Sequence, residues 1–422
     1  MHTDTLLVIL ITIITGQFLF NTLLTYLNNR NRGASLPDSL KDIYEIQEYE
    51  KSQAYGKANA KLSMISSSLS FLITFTIIAT RMFGSLDLWL GEYTDNPIWH
   101  ALLFFGILGI ASTIIDIPFS YYSTFVIEER YGFNRSTLKT FVTDLIKSLV
   151  VGGVIGGILL ALIVKSYLVL GSHFFLIAFA IVAGFSLFML LFYSSIIVPL
   201  FNKQTPLEDG ELKNKIMGFA GQVDFPIKEI YVIDGSKRSA KANAYFTGLG
   251  KMKRIVLYDT LIDQLDSDEI LAVLAHEVGH AKKRHVIQSM FLSLTQTFII
   301  FYLLSLALEQ PATSYVMGSD KPTFELGLLF FSFVLTPITE ITSIVMSIFS
   351  RKNEYQADDF AKQHGLKEGL IGGLKKLTKN SLANLTPHPF VVKCSYSHPT
   401  LSQRIDHLNQ NSAPSGLNSD SE

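Results

Sequence analysis

The chain has 422 residues, 48% of them apolar and 12% aromatic, and only 17% are Asp, Glu, Lys or Arg, against about 25% in an ordinary soluble domain. Thirty-five basic against 36 acidic residues leave a formal charge of -1, with no basic patch to hold DNA or RNA, so no nucleic-acid partner is expected. A single cysteine, Cys394, excludes an intrachain disulfide framework and any multi-thiolate metal site, so a bound metal must use His, Asp and Glu.

Seven runs approach the roughly 20 apolar residues that cross a hydrocarbon core. They are Leu6 to Leu27, Leu62 to Thr80, Ile98 to Ser120, Leu145 to Val164, Phe174 to Leu200, Ile287 to Leu308, and Leu326 to Phe349. The chain therefore reads as a polytopic, mainly α membrane protein whose constant partner is the lipid bilayer. The first run lacks a basic n-region and a small-residue cleavage site and is longer than an h-region, so it reads as a retained span. The fourth holds Gly152, Gly153, Gly156 and Gly157, which weaken an isolated helix and permit close packing against a neighbour.

Basic residues occupy alternate loops. Arg30, Arg32, Lys41, Lys51, Lys57 and Lys61 follow the first span and Arg130, Arg135 and Lys139 the third, whereas Gly84 to Pro97 has none. The N-terminus is then expected outside, with 202–285 and everything after Ser350 on the cytoplasmic side, where they can build one site. Three units follow: 1–201 with five spans, 202–408 with a polar domain and two further spans, and a Ser/Asn-rich acidic tail, 409–422, expected to be disordered.

Within the polar stretch, Glu229 to Ile233, Ala244 to Gly248 and Arg254 to Tyr258 are β-branched and aromatic runs between Gly-containing turns, which read as a small sheet. A helix is expected next. Asp266 and Ser267 are N-cap candidates, Asp268 and Glu269 suit its first turn, and Ile270, Val273 and Leu274 form an apolar stripe.

That helix carries His276-Glu277-Val278-Gly279-His280, the H-E-x-x-H pattern. Spacing of one turn puts His276 and His280 on one face, able to hold one zinc ion, with Glu277 beside them. A catalytic zinc wants a third protein ligand and leaves a position for water. Glu354, just past the seventh span, is the candidate, and Asp358 one turn on could fix the tautomer of a ligand histidine. On spacing alone, an interfacial helix with solvated charges is an equal alternative for that segment.

From about Asp38 to Arg404 the chain resembles the CAAX prenyl protease 1 family of integral-membrane zinc metalloproteases. The resemblance rests on Glu128-Glu129-Arg130-Tyr131-Gly132-Phe133-Asn134, Pro199-Leu200-Phe201-Asn202, Ser236-Lys237-Arg238-Ser239, Asn243-Ala244-Tyr245-Phe246, Ala275 to His280, and Glu354 to Asp358. It implies seven long helices enclosing a water-filled intramembrane chamber, with a zincin-type peptidase domain capping it on the cytoplasmic side. It also implies one zinc per chain and removal of the last three residues from a prenylated Cys-a-a-X peptide.

Residue by residue, it makes His276, His280 and Glu354 the zinc ligands and Glu277 the general base. Asn243 becomes a holder of substrate backbone, and His398 and Arg404 become groups near the metal that stabilise an oxyanion or position substrate. Lys241 departs from the pattern, standing where the family often has His.

Two carboxylates within spans, Asp116 and Glu340, are costly unless they face a cavity or a partner. Arg81 is read as snorkelling to the interface. His100, His173, His285, His364, His388 and His407 have no ligand spacing to the motif and receive no role.

The competing readings are a quality-control membrane protease that cuts unprenylated proteins by the same chemistry, and a transporter with an incidental H-E-x-x-H. The transporter lacks the paired, interrupted spans of repeated halves. With no dilysine or H-D-E-L-type signal at the C-terminus, a bacterial inner membrane is expected, or the endoplasmic reticulum membrane in a eukaryote.

Overall fold

A helix is the only open-ended way to satisfy every backbone N–H and C=O inside hydrocarbon, and each apolar run folds as one. The computed structural model describes residues 3–248 and 253–410. It begins with α1 (Thr3–Asn31), α2 (Ile46–Ala79), a short α3 (Met82–Gly91) and α4 (Pro97–Tyr122). α4 passes through a π-helical turn at 123–128 into α5 (Glu129–Tyr131). α6 (Leu138–Leu170) and α7 (Phe174–Phe192) follow, and a second π-helical turn leads into α8 (Val198–Phe201). Caps set the starts: Asn96 accepts from the Ile98 and Trp99 N–H groups ahead of Pro97, and Thr137 accepts from Thr140 N–H.

The 64 residues from Leu138 to Phe201 are helical almost without a break, a length of roughly 96 Å if straight. Gly171, at φ +54°, turns the chain, so α6 and α7 pack against each other as two crossings. Among the described residues six continuous apolar stretches thus make seven passes, as expected.

Those passes hold one another loosely. In the most apolar window of each stretch only 6–11% of residues are buried, as expected of helices whose surfaces face lipid rather than one another. The expected close packing at the fourth-span glycines does not occur. A Cβ on Gly152, Gly153 or Gly156 would meet nothing within 4 Å, and one on Gly157 only Leu102 at 3.8 Å. Apolar cores form instead near one end of the bundle. Leu10, Ile78, Phe83, Phe104, Met317 and Leu326 make one cluster, and Ala101, Phe174, Leu304 and Phe324 another.

The polar stretch builds a four-stranded sheet in the order β1-β2-β4-β3, from β1 (Gln204–Pro206), β2 (Glu229–Ile233), β3 (Ala244–Thr247) and β4 (Arg254–Tyr258). β2 and β4 are parallel, and β1 and β3 pair antiparallel at the two edges. The sequence reading located three strands to within a residue. It missed β1, which has three residues, ends in proline and shows no alternation.

Helix α9 (Glu211–Gln222) lies between β1 and β2, and α10 (Asp259–Gln264) leads into α11 (Ser267–Lys282). Asp266 caps α11 in a reciprocal box with Glu269. The chain continues as α12 (His285–Leu308), α13 (Ala312–Val316), α14 (Phe324–Gln363), α15 (Lys367–Asn380), α16 (Pro389–Ser395) and α17 (Leu401–Asn409). α11 is buried on most sides: Ile270 and Leu274 pack with Ile255 and Leu257 of the sheet, while Ala272, Ala275 and Val278 pack with Ala361, Leu370 and Leu408. The tail expected from Asn409 loses that residue to α17, and 411–422 lie outside the described residues.

Candidate active site

α11 and α14 approach closely because the fourth residue of the motif is glycine. A Cβ on Gly279 would lie 2.9 Å from the Phe360 Cβ and 3.0 Å from the Ala357 Cα. Gly279→Ala is therefore expected to destabilise the protein by about 1–3 kcal/mol as the helices part, measured as a fall in the midpoint of thermal unfolding in detergent.

The close approach brings Glu354, 4% exposed on α14, to the two motif histidines. His276 Nε2 and His280 Nε2 are 3.2 Å apart, and Glu354 Oε2 and Oε1 stand 3.4 Å and 3.2 Å from them respectively. Zinc with Zn–N and Zn–O bonds near 2.0–2.1 Å in a tetrahedron requires ligand-to-ligand edges of roughly 3.3 Å. The distances are close to those edges, with a different Glu354 oxygen facing each histidine. Glu354 Oε2 is buried and accepts no hydrogen bond among the described residues, with Arg404 Nη1 3.7 Å away, and a carboxylate oxygen left so is better satisfied by a bound cation. The residues fit a metal ion.

Behind the donors, hydrogen bonds order the imidazoles. His276 Nδ1 is 2.8 Å from Asp358 Oδ1, so Nδ1–H donates there and Nε2 keeps its lone pair. Arg404 holds Asp358 in turn, donating from Nε to Oδ2 at 2.9 Å and from Nη2 to Oδ1. Burial opposes charge on His276, but the Asp358 and Glu354 carboxylates outweigh it and raise its pKa in the metal-free protein.

The second imidazole has a partner that sequence reading missed. His280 Nδ1 is 3.0 Å from His285 Nδ1, and His285 Nε2 is 2.9 Å from Gln356 Oε1. With Gln356 oriented this way, His285 Nε2–H donates to it and His285 Nδ1 accepts from His280 Nδ1–H. His280 Nε2 is left bare on the side of Glu354. No helical spacing signals this, because Arg284 at φ 59° breaks the helix between the two histidines and turns His285 back, 3% exposed. His100, also given no role, is likewise buried, at 9%.

The other expected residues divide by position. Glu277 is half-buried and makes no side-chain hydrogen bond among the described residues. His398 is 63% exposed at its side chain, with Nε2 3.3 Å from Glu354 Oε1. Arg404 is 9% exposed, with Nε and Nη2 engaged by Asp358 behind the donors and Nη1 3.7 Å from Glu354 Oε2. Asn243 is exposed and immediately precedes β3, an edge strand; its Oδ1 accepts from Ala244 N–H at 2.8 Å. That edge borders a cavity of about 840 Å³, lined across from it by Asp144, Met189 and Tyr193.

Lys241 takes no part in the cluster. Its Nζ contacts Tyr55 Oη at 2.8 Å and Glu128 Oε2 at 2.9 Å and lies over the Phe133 ring, joining the sheet domain to the membrane helices. Burial works against its charge, yet those partners raise its pKa. Asp116 is exposed, without a protein hydrogen bond among the described residues, whereas Glu340 Oε2 accepts from Gln17 at 3.2 Å. Arg81 reaches Asp4 at 2.8 Å.

Comparison with known proteins bears on both halves of the chain. The family description "CAAX prenyl protease N-terminal, five membrane helices" matches residues 25–203, and "Peptidase family M48" matches residues 206–412. The chain is 36% identical over 420 residues to CAAX prenyl protease 1 of Saccharomyces cerevisiae, covering 93% of each. It is 32% identical over 419 residues to the human CAAX prenyl protease 1 homolog, covering 88% of each. The crystal structure of S. mikatae Ste24p matches with a TM-score of 0.91 at 35% identity, over 96% of this chain and 99% of that one. A likeness that runs through the membrane helices as well as the histidine-bearing helix removes the transporter reading, and the chain belongs to the M48 metallopeptidases, among the integral-membrane CAAX prenyl proteases.

Proposed function

We propose that the protein is a zinc endopeptidase that removes the last three residues of prenylated Cys-a-a-X polypeptides. His276, His280 and Glu354 hold the metal, and Glu277 acts as general base. The observation that carries this reading is the gathering of His276, His280 and Glu354 at 3.2–3.4 Å, with a buried Glu354 oxygen that accepts no hydrogen bond among the described residues. Zinc bound there supplies Lewis acidity, which brings the pKa of a water to about 7.

The chain's own groups do the rest. Glu277 takes the proton of the attacking water and delivers it to the leaving amine. Asp358, held by Arg404, keeps the proton of His276 on Nδ1; Arg404 is thereby a positioning residue. His398, exposed beside Glu354, is the oxyanion donor in this scheme. The open edge of β3, with Asn243 at its start, pairs with the extended substrate backbone.

The division at 201/202, the cytoplasmic placement of the site and the N-terminus outside belong to the same proposal, supported by the alternate basic loops. So do a bacterial inner membrane, or the endoplasmic reticulum membrane in a eukaryote, as the setting, and Asp116 and Glu340 as chamber-lining carboxylates. The hydrogen bond from His280 to His285 carries an expectation of its own: His285→Ala should weaken zinc binding about 10- to 100-fold, read by competition with a chelator, and His285→Gln, which restores an acceptor, should recover part of it.

The substrate test uses zinc-loaded protein with a farnesylated C-terminal peptide and its unprenylated twin. Cleavage of the farnesylated peptide by preference is expected. Equal cleavage would transfer the assignment to the quality-control protease.

A further inference from the structure

α14 carries a carboxylate at each end. Glu354 joins the histidines of α11, and Glu325, in the first turn, is separated from it by a rise of roughly 44 Å along the helix. That distance exceeds the roughly 30 Å of a hydrocarbon core, so the two lie toward opposite faces of the bundle. At the Glu325 end, Asp87 of α3 and His100 of α4 converge on it. One donor atom from each of the three lies within 4.8 Å of the others.

We propose that Asp87, His100 and Glu325 form a second divalent-cation site, structural rather than catalytic, filled by a zinc-like ion. The three residues are 1%, 9% and 5% exposed. His100 Nε2 is 3.4 Å from Asp87 Oδ1 and 3.6 Å from Glu325 Oε1, close to the edges found around His276 and His280. Among the described residues no Lys or Arg reaches either carboxylate in an ion pair, and Glu325 and Asp87, within hydrogen-bond reach of each other, need either a shared proton or a cation to offset their buried charge. A divalent ion supplies both missing charges. One imidazole nitrogen with two carboxylate oxygens suits zinc better than calcium or magnesium, which take oxygen alone.

The metal-free arrangement explains less. In it, His100 Nε2–H donates to the Asp87 carbonyl oxygen at 3.1 Å, and Ser319 Oγ–H donates to Asp87 Oδ2 at 3.4 Å. Asp87 Oδ1 still has no hydrogen-bond donor among the described residues although it is fully buried. It points toward His100 Nε2, where an ion would satisfy it. The site would tie α3, the start of α4 and the start of α14 together, closing the end of the bundle at which the main apolar cluster also sits.

The test counts zinc by mass spectrometry in detergent-purified protein equilibrated with zinc and then dialysed. Wild type is expected to retain two zinc per chain, His276→Ala/His280→Ala one, and His100→Ala one. The His100→Ala protein is expected to keep its cleavage of the farnesylated peptide at low temperature and to unfold earlier on heating. One zinc in wild type and none in the double variant would overturn the second site while leaving the catalytic assignment intact. Two zinc retained by His100→Ala would also overturn it. Should His100→Ala fail to fold, the double variant decides alone: a zinc held there supports the site, and its absence refutes it.

Discussion

Glu277→Gln is expected to lower turnover by about two to four orders of magnitude with zinc content unchanged. The substitution keeps the size of the side chain and its capacity to hydrogen-bond but removes the proton acceptor. Glu277 makes no hydrogen bond or ion pair to the three metal donors or to any other group among the described residues, so folding and metal retention should be untouched. The decisive pair of measurements is zinc per chain and single-turnover cleavage of a farnesylated peptide. A variant cleaving at the wild-type rate would remove Glu277 from the mechanism.

Glu354→Ala should fail in the opposite way. It deletes a metal donor and also the carboxylate that His276, His280 and His398 face at 3.2–3.4 Å, leaving imidazole nitrogens 3.2 Å apart with no anion between them. Zinc affinity should fall by more than the roughly 10–100-fold typical of a lost hydrogen-bonding partner behind a ligand, and activity should fall with it. Partial recovery at high zinc concentration would separate this from a folding defect. Full affinity in Glu354→Ala would mean that the third donor is another group, and Asp358, already 2.8 Å from His276 Nδ1, would be examined next.

What could be read from the sequence follows from how local each determinant is. The seven crossings were legible because hydrocarbon imposes a length on every apolar run, and α11 because a capping box, a stripe and an H-E-x-x-H pattern all fall within 15 residues. Glu354 was reachable only through the pattern of basic loops, which put it on the same side as His276, and through the family resemblance. Spacing cannot join residues 74 positions apart. His285 escaped because its approach depends on a left-handed residue, Arg284, and a left-handed arginine leaves no mark in the sequence. The fourth-span glycines misled, since small residues at a helix surface look the same whether they face a neighbour or open space.

The sparse burial within the crossings has a consequence for how such a protein changes over generations. Where side chains touch few neighbours, exchanging one apolar residue for another incurs little steric penalty, so the middle of the wall can diverge almost freely. Both ends are under tight constraint: α11 and α14 meet at glycine on one, and Gly84 lies against the Gly318 backbone near the other. The girth and texture of the interior can thus be retuned to new polypeptides without disturbing the chemistry, and lineages sharing the same peptidase can come to differ in what they admit.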